Sequence, residues 1–509
     1  MDNFNNLYNF KNPIRHFFNL DNFNFDNSED LKFEDLTWTL PVKFKIFKTE
    51  DSLRTISFPN ILNYYHAVKN FESEDNYFNI KQLSAKKRVS PDLTTGEFSV
   101  MSYYKCVQTD MFNLTKHAQL MLMDIKSFYG RIYTRDLGYE SSDPKKLEQR
   151  VGSLNNGRTN GLLLGSYLSL FLAEKFLLNI EIDLDNELSK HKIDCHYEYF
   201  SDDFYFFCNK CDMDKIKEIF SKVLDSYELQ VNYDKTLILD FEQYTKDNNL
   251  EKLWKKIIKI STEKDSDIAR AKDIQKDYVD YPAFFTQIVY KLSQIHELKY
   301  KRIFLANFFK TFYFYNLKPE YYRLSDSDFN YICYIYKLMP ETILYSLSRI
   351  KNIHGFNRQL FKDFVYSRFK SALQTEKYEE QIYFYYAIKE CAIDDRLVDF
   401  KDDVMVSKNQ ILISYFLIDR IILKSDYQCF VDNPKEDEWL QNYHYLLVYD
   451  KSNLDLLIPN QAKNNKKQKS YFDFYKVNLD NNIPIVRNIN KIAEDINKFV
   501  ALKISSYSH

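Results

Sequence analysis

The sequence predicts an α+β region over 1–245 followed by an all-helical region over 246–509. Three observations lead there. From about 42 to 245, short β-prone runs alternate with helical ones, whereas beyond about 246 apolar residues recur at helical spacing almost throughout. Glycine numbers only 8, where average usage near 7% would give roughly 36. Proline, at 11, is also scarce, so little room remains for a glycine-turned sandwich or barrel, and long helices joined by short polar loops are favoured. At 509 residues the chain exceeds one compact core and suits two or three domains. Its 45% hydrophobic and 28% charged residues exclude a disordered or fibrous protein.

Taken in order, residues 1–40 are rich in Asn, Asp and Phe with weak periodicity, and read as a tail mobile enough to move over the surface. Tyr8 is its sole tyrosine before Tyr64. Leu120-Met121-Leu122-Met123 is a short apolar run of the kind that makes a buried strand, and it stops at Asp124. The most apolar window, 162–182, is interrupted by Glu174, Lys175 and Glu181, which makes it a buried helix and not a membrane span. Cys195 to Phe200 is β-prone, Ser201-Asp202-Asp203 is turn-like, and Phe204 to Phe207 returns as a strand, giving a hairpin tipped by two aspartates. Helical periodicity then covers 253–262, 284–298, 303–315, 342–350 and 378–391, with Pro340 at a start and Gly355 at a break. No fixed repeat length emerges, but successive antiparallel pairs suggest a HEAT-like or bundled half.

Alone, Ser201-Asp202-Asp203 is ordinary turn chemistry. Combined with a buried strand ending in Asp124 and an intervening long helix, it matches the palm arrangement of nucleotide polymerases. Three carboxylates there would hold two divalent metals about 4 Å apart. All-oxygen ligands suit Mg²⁺ or Mn²⁺ and not Zn²⁺. Cys195, His196, Cys208 and Cys211 are a poor zinc set, because adjacent strand residues point to opposite faces. The basic run Lys81, Lys86, Lys87, Arg88 and the stretch 460–470, with Lys463, Lys466, Lys467 and Lys469, read as solvated charge. A net charge of −2 excludes a broadly basic duplex-gripping surface. Seven cysteines spread through the chain suit reduced thiols, and the first residues lack a signal-peptide layout, so a cytoplasmic protein with no membrane partner is expected.

Five motifs in order resemble the reverse-transcriptase superfamily, covering about 48–240. They are Lys48 with Arg54-Thr55-Ile56-Ser57-Phe58-Pro59; Asp124 to Tyr129; Gly165 to Ser169 running into Ala173-Glu174; Phe200-Ser201-Asp202-Asp203; and Val231 to Thr236. Template-copying members carry Gln before the glycine and Pro after the serine, where this sequence has Leu164 and Leu170. That departure, with a helical second half, is similar to the bacterial abortive-infection polymerases of phage defence. The resemblance implies right-hand-like fingers and palm, and synthesis of DNA from deoxynucleoside triphosphates without a template. It further implies a single-stranded product covalently attached to a protein tyrosine, and a homo-oligomer, trimer or hexamer.

The resemblance also distributes roles. Asp124, Asp202 and Asp203 would form the metal centre, with the Ile125 carbonyl completing a shell. Lys48 and Arg54 would orient the triphosphate. Tyr129 would bar a ribose 2′-OH, and Gly165 and Ser169 would lie beneath the nucleotide. Lys235 would protonate departing pyrophosphate or offset its charge. Tyr8, on its tail, is the candidate priming hydroxyl by position. The helical half would enclose the product channel, with aromatics on its exposed side stacking single-stranded DNA. The rival readings are a template-dependent reverse transcriptase and a degenerate palm acting as an interaction scaffold.

Overall fold

The computed structural model describes residues 4–9, 12–28, 31–49, 52–73, 86–89, 100–140, 144–247, 283–295, single positions between 298 and 314, and 323–505 apart from 464. The expected helix over 253–262, most of that over 303–315, and Lys81 lie outside the described residues.

Two antiparallel sheets form in the first half. One is the hairpin β1 (Val42–Thr49) and β2 (Ser52–Phe58). The other has four strands in the order β4-β5-β3-β6: β3 Gln119–Ile125, β4 Cys195–Phe200, β5 Asp203–Cys208 and β6 Val231–Leu239. The near-continuous apolar sequence of β3 follows from its central place between β5 and β6, covered on both faces. Met121, Met123 and Ile125 join the main core, while Leu120 and Leu122 pack with Val107, Leu114, Phe207 and Tyr244 on the other side. The main-core face is roofed by the helices Tyr167–Lys190 and Met213–Ser226, whose Phe220 ring sits 4.8 Å from Phe204 and 5.2 Å from Phe206. Helices Val100–Lys116 and Phe241–Asp247 supply the opposite cover.

The second half is helical wherever it is described. Its helices include Ala283–Gln294, Asp326–Leu338, Thr342–Ile350, Arg358–Gln374, Tyr378–Glu390, Gln410–Ile418, Trp439–Tyr449, Gln468–Asp480 and Ile489–Ser505. Caps explain several starts. Ser325 and Asp328 form a reciprocal capping box, and the Asn357 and Asn409 side chains accept from Leu360 and Leu412 amides. Gly355, at φ +90°, makes the expected break, and a Cβ there would lie 2.5 Å from the Leu324 carbonyl oxygen. Among the described residues no helix is long and apolar enough to cross a membrane.

The amino-terminal segment departs from the expected mobile tail. Short helical turns form at Phe4–Tyr8, Asn12–Arg15, Leu20–Asn22, Asp26–Ser28 and Phe33–Asp35, and this segment contacts residues of both halves. Asn19 N donates to Ile485 O at 2.8 Å and Arg487 N to Phe17 O at 2.7 Å, a short bridge centred on Phe18 and Val486. His16 Nδ1 lies 2.7 Å from Asp495, and Asn24 N donates to Asn478 Oδ1 at 2.8 Å. Aromatic density explains the docking: Phe4, Tyr8, Phe17, Phe18 and Phe23 are buried. The stretch over 460–470 is mostly solvated as read, except that Lys467 Nζ donates to Leu36 O at 2.6 Å.

Candidate active site

Asp124 is the penultimate residue of β3, two positions on from Leu122, and lies directly opposite Asp203 of β5. Asp202 sits in the intervening turn, which Ser201 enables by adopting φ 53°. Ile125 N donates to Asp202 O at 3.0 Å, fixing the turn against β3. From the other neighbour, β6, two side chains reach the same carboxylate. Asn232 Nδ2 donates to Asp124 Oδ1 at 2.7 Å, and Lys235 Nζ lies 2.6 Å from Oδ2. Asn232 is the register partner of Asp124, just beyond an irregularity in the β3–β6 pairing. Asp124 is 5% exposed, Asp202 half-buried, and Asp203 open to solvent. Burial first, and then the negative charge of Asp124, push the Asp202 carboxyl above its usual range, while Lys235 works against that shift.

The sequence expectation of three carboxylates already gathered into a cage is not met. Among the described residues, no three His, Cys, Asp or Glu side chains converge closely enough to hold an ion. Asp124 has both oxygens engaged by Asn232 and Lys235, and Asp203 is open to solvent. The donor chemistry nevertheless fits a hard divalent cation. The Asp124 and Asp202 charges repel one another, and one cation, the Lys235 ammonium, already sits against Asp124.

Tyr129 lies on a short turn, Phe128–Arg131, entered through Ser127 at φ 55°. Its hydroxyl is 3.5 Å from Ser201 Oγ, beside the Asp202 turn. Burial raises its pKa, with the Glu174 and Asp202 charges adding to the rise and Ser201 and Arg54 opposing it. Arg54 is exposed, as is Lys48, which falls at a bulge of β1 beside the hairpin tip. Gly165, at φ +118°, lets the preceding loop press on β2: Ser57 N donates to Leu164 O at 2.7 Å, and a Cβ on Gly165 would meet Ile56 Cβ at 3.0 Å. Ser169 is buried and spent on the helix start, bonded to Ser166 Oγ through its amide at 3.2 Å and its hydroxyl at 2.9 Å. Leu170 is core, and Leu164 packs against it.

Tyr8 is not carried on a mobile arm. It is fully buried, donates to Pro59 O at 2.6 Å, and packs on Phe18, Phe58 and Tyr64. Burial pushes its pKa well up, opposite to what a nucleophilic phenolate needs. Nor are the helical-half aromatics an exposed stacking array. Tyr336, Tyr385, Tyr386, Tyr427, Tyr443, Tyr471 and Tyr475 are buried, while Tyr290 and Tyr334 are the exposed large aromatics described there.

The basic run at 86–88 is the largest surprise near the site. Instead of solvated charge, it pairs in parallel with β4, Arg88 N donating to Tyr199 O at 2.9 Å and Tyr199 N to Lys86 O at 3.0 Å. Lys87 Nζ lies 3.1 Å from Glu174 Oε2, both side chains nearly sealed from solvent. Arg88 forks onto Asp110 at 2.6 and 2.7 Å and reaches Glu198 at 3.1 Å, its guanidinium 3.9 Å over the Tyr205 ring. Burial raises the Glu174 pKa, Lys87 opposes this, and the Asp202 charge adds to it, which places this pair in the electrostatic field of the candidate site.

No family model matches the chain, and no curated protein does. Among solved structures, the telomerase of Candida albicans with a fragment of telomeric RNA is 13% identical, at TM-score 0.29, over 79% of this chain and 65% of that one. The apo telomerase of Candida tropicalis is 14% identical, at TM-score 0.31, over 78% and 67%. Its complex with telomeric RNA is 13% identical, at TM-score 0.32, over 79% and 64%. The chain thus spans about two thirds of the length of these telomerases, and a likeness this slight assigns neither fold nor function.

Proposed function

We propose that the chain is a nucleotidyltransferase of the reverse-transcriptase type, the four-stranded sheet serving as its palm and the β1–β2 hairpin as part of its fingers. The observation that carries this reading is the register of β3 and β5, which sets Asp124 opposite Asp203 and beside the Asp202 turn. Asp124 and Asp202 would hold Mg²⁺ or Mn²⁺, with Asp203 and the Ile125 carbonyl as further oxygen donors. When bound, the ions lower the pKa of the attacking hydroxyl and offset charge at the transferred phosphate.

The chain's own residues do the rest. Lys235 and Asn232 orient the Asp124 carboxylate. Lys235, exposed and cationic, is placed to turn from Asp124 toward departing pyrophosphate and donate a proton. Lys48 and Arg54 meet the triphosphate from the hairpin. The Tyr129 ring, held beside Ser201, closes the space a 2′-OH would need and selects deoxynucleotides. The finer proposal is an abortive-infection polymerase, working without a template as an oligomer and attaching its DNA to a protein tyrosine, with Tyr8, if freed from its buried site, as the candidate.

The burial of Tyr8 favours a second reading, extension of a nucleic-acid primer along a template. Purified protein incubated with labelled deoxynucleotides and Mg²⁺, with and without primed template, separates the two. A labelled, retarded protein band without nucleic acid supports protein priming, whereas template-dictated product supports the second reading. Absence of any incorporation by the wild type, under either condition, sinks both.

A further inference from the structure

We infer that Glu379, in the helical half, is a positioning residue for nucleotide binding, acting through the β1–β2 hairpin. The inference rests on the proposed function, since it takes Lys48 and Arg54 as triphosphate contacts. An isolated two-stranded hairpin is marginal in water, so this one needs outside support. Its β2 side is held by the Ser57–Leu164 bond. The β1 side presents backbone donors that β2 leaves unpaired. Glu379 meets one of them: Phe47 N donates to its Oε2 at 2.5 Å.

Glu379 is 7% exposed, so the carboxylate is set in place and not waving in solvent. Tyr383, one turn further along the helix Tyr378–Glu390, donates to Glu379 Oε1 at 3.2 Å and locks its orientation. Neighbouring contacts converge on the same strand. Lys45 pairs with Glu376 and lies 5.5 Å over the Tyr378 ring, and Phe44 packs on Tyr378 at 5.7 Å. Phe47 immediately precedes Lys48, where the β1–β2 register slips. A carboxylate fixed to the Phe47 amide therefore pins the strand next to the bulge that projects Lys48, and sets its position relative to Arg54 across the hairpin. In this way the helical half determines nucleotide affinity without touching nucleotide.

The test uses full-length Glu379→Ala and Glu379→Gln, the latter retaining a carbonyl oxygen for the Phe47 amide. Two readouts are taken: hydrogen exchange of the β1–β2 amides without nucleotide, and the KM and kcat for deoxynucleotide incorporation with Mg²⁺. Glu379→Ala is expected to speed hairpin exchange at least about tenfold and raise KM about tenfold, with kcat within twofold. Glu379→Gln should restore both to within about threefold of wild type. Unchanged hairpin exchange in Glu379→Ala, or loosened exchange with unchanged KM, overturns the inference. A wild type that incorporates no nucleotide defeats the functional reading instead, and the exchange measurement still decides whether Glu379 holds the hairpin.

Discussion

The two halves of the molecule bury polar groups in different ways. Around the four-stranded sheet the buried polar groups include charged clusters: Asp124 with Lys235 and Asn232, Glu174 with Lys87, and Asp110 with Arg88. The helical half also buries carboxylates, Asp328, Glu379 and Glu380 among them, but adds a set of neutral hydroxyls. Tyr366, Tyr415 and Tyr443 donate to the carbonyls of Ile393, Arg487 and Ile483, at 2.8, 2.8 and 2.6 Å, and Tyr427 donates to Asn442 at 2.8 Å. Those phenols fasten loops to helices and satisfy carbonyls that would otherwise be orphaned. Buried charge is costly and gains little stability over apolar packing, so the Asp124 cluster beside the Asp202 turn is the place to test for chemistry.

The sharpest way to break this contrast is at the carboxylates. Asp124→Asn and Asp202→Asn should each lower deoxynucleotide incorporation by about 10³-fold while leaving the circular dichroism spectrum intact. Activity surviving in both would place the chemistry elsewhere. Next in size, Lys87→Met strands Glu174 in the interior and should cost about 3–5 kcal/mol in urea unfolding; the double variant with Glu174→Leu should recover most of it.

The helical half supplies a pH effect of similar order. His444 is buried between the Leu440 carbonyl, which accepts from Nδ1 at 2.8 Å, and the Val486 amide, which donates to Nε2 at 3.2 Å, so protonation at Nε2 would set its N–H against the Val486 N–H. Burial lowers its pKa to about 4. The sign follows from a folded value below the unfolded 6.5: the contribution is fully present above pH 6.5 and is lost as pH falls toward 4. Its size is about 3 kcal/mol. Unfolding free energies measured across that window should show the loss in wild type, and His444→Leu should flatten the slope. Smallest of all, Tyr8→Phe should cost about 1–2 kcal/mol for the unmet Pro59 carbonyl. Loss of covalent labelling in a folded variant would assign Tyr8 the priming role, and unchanged labelling would exclude it.

The elements that carry the site were legible because their signals are local. Leu120 to Met123 spells a strand covered on both faces, and Ser201 to Asp203 spells a turn. The partners were not legible. Lys86 to Arg88 reads as surface charge because Asp185, Glu174, Asp110 and Glu198, which neutralise it, are scattered along the chain and meet it only after the sheet forms. The docking of the amino-terminal segment was hidden for a related reason. A segment that packs against two bodies takes its pattern from both and keeps neither a helical nor a strand period. Ser169 shows a third limit, since a motif position fixes where a residue lies along the chain and not whether its hydroxyl is already engaged by Ser166.

The bridge between residues 17–19 and 485–487 bears on how the protein is made. On a ribosome, the first of these segments emerges long before its mate. Through most of translation Phe17 lacks the Tyr383 and Tyr415 rings, and Phe23 the Tyr443 and Phe474 rings, that finally cover them. Ribosomes stalled short of residue 485 would therefore display a chain whose opening residues are cut readily by protease, and release of the full-length product would abolish that sensitivity.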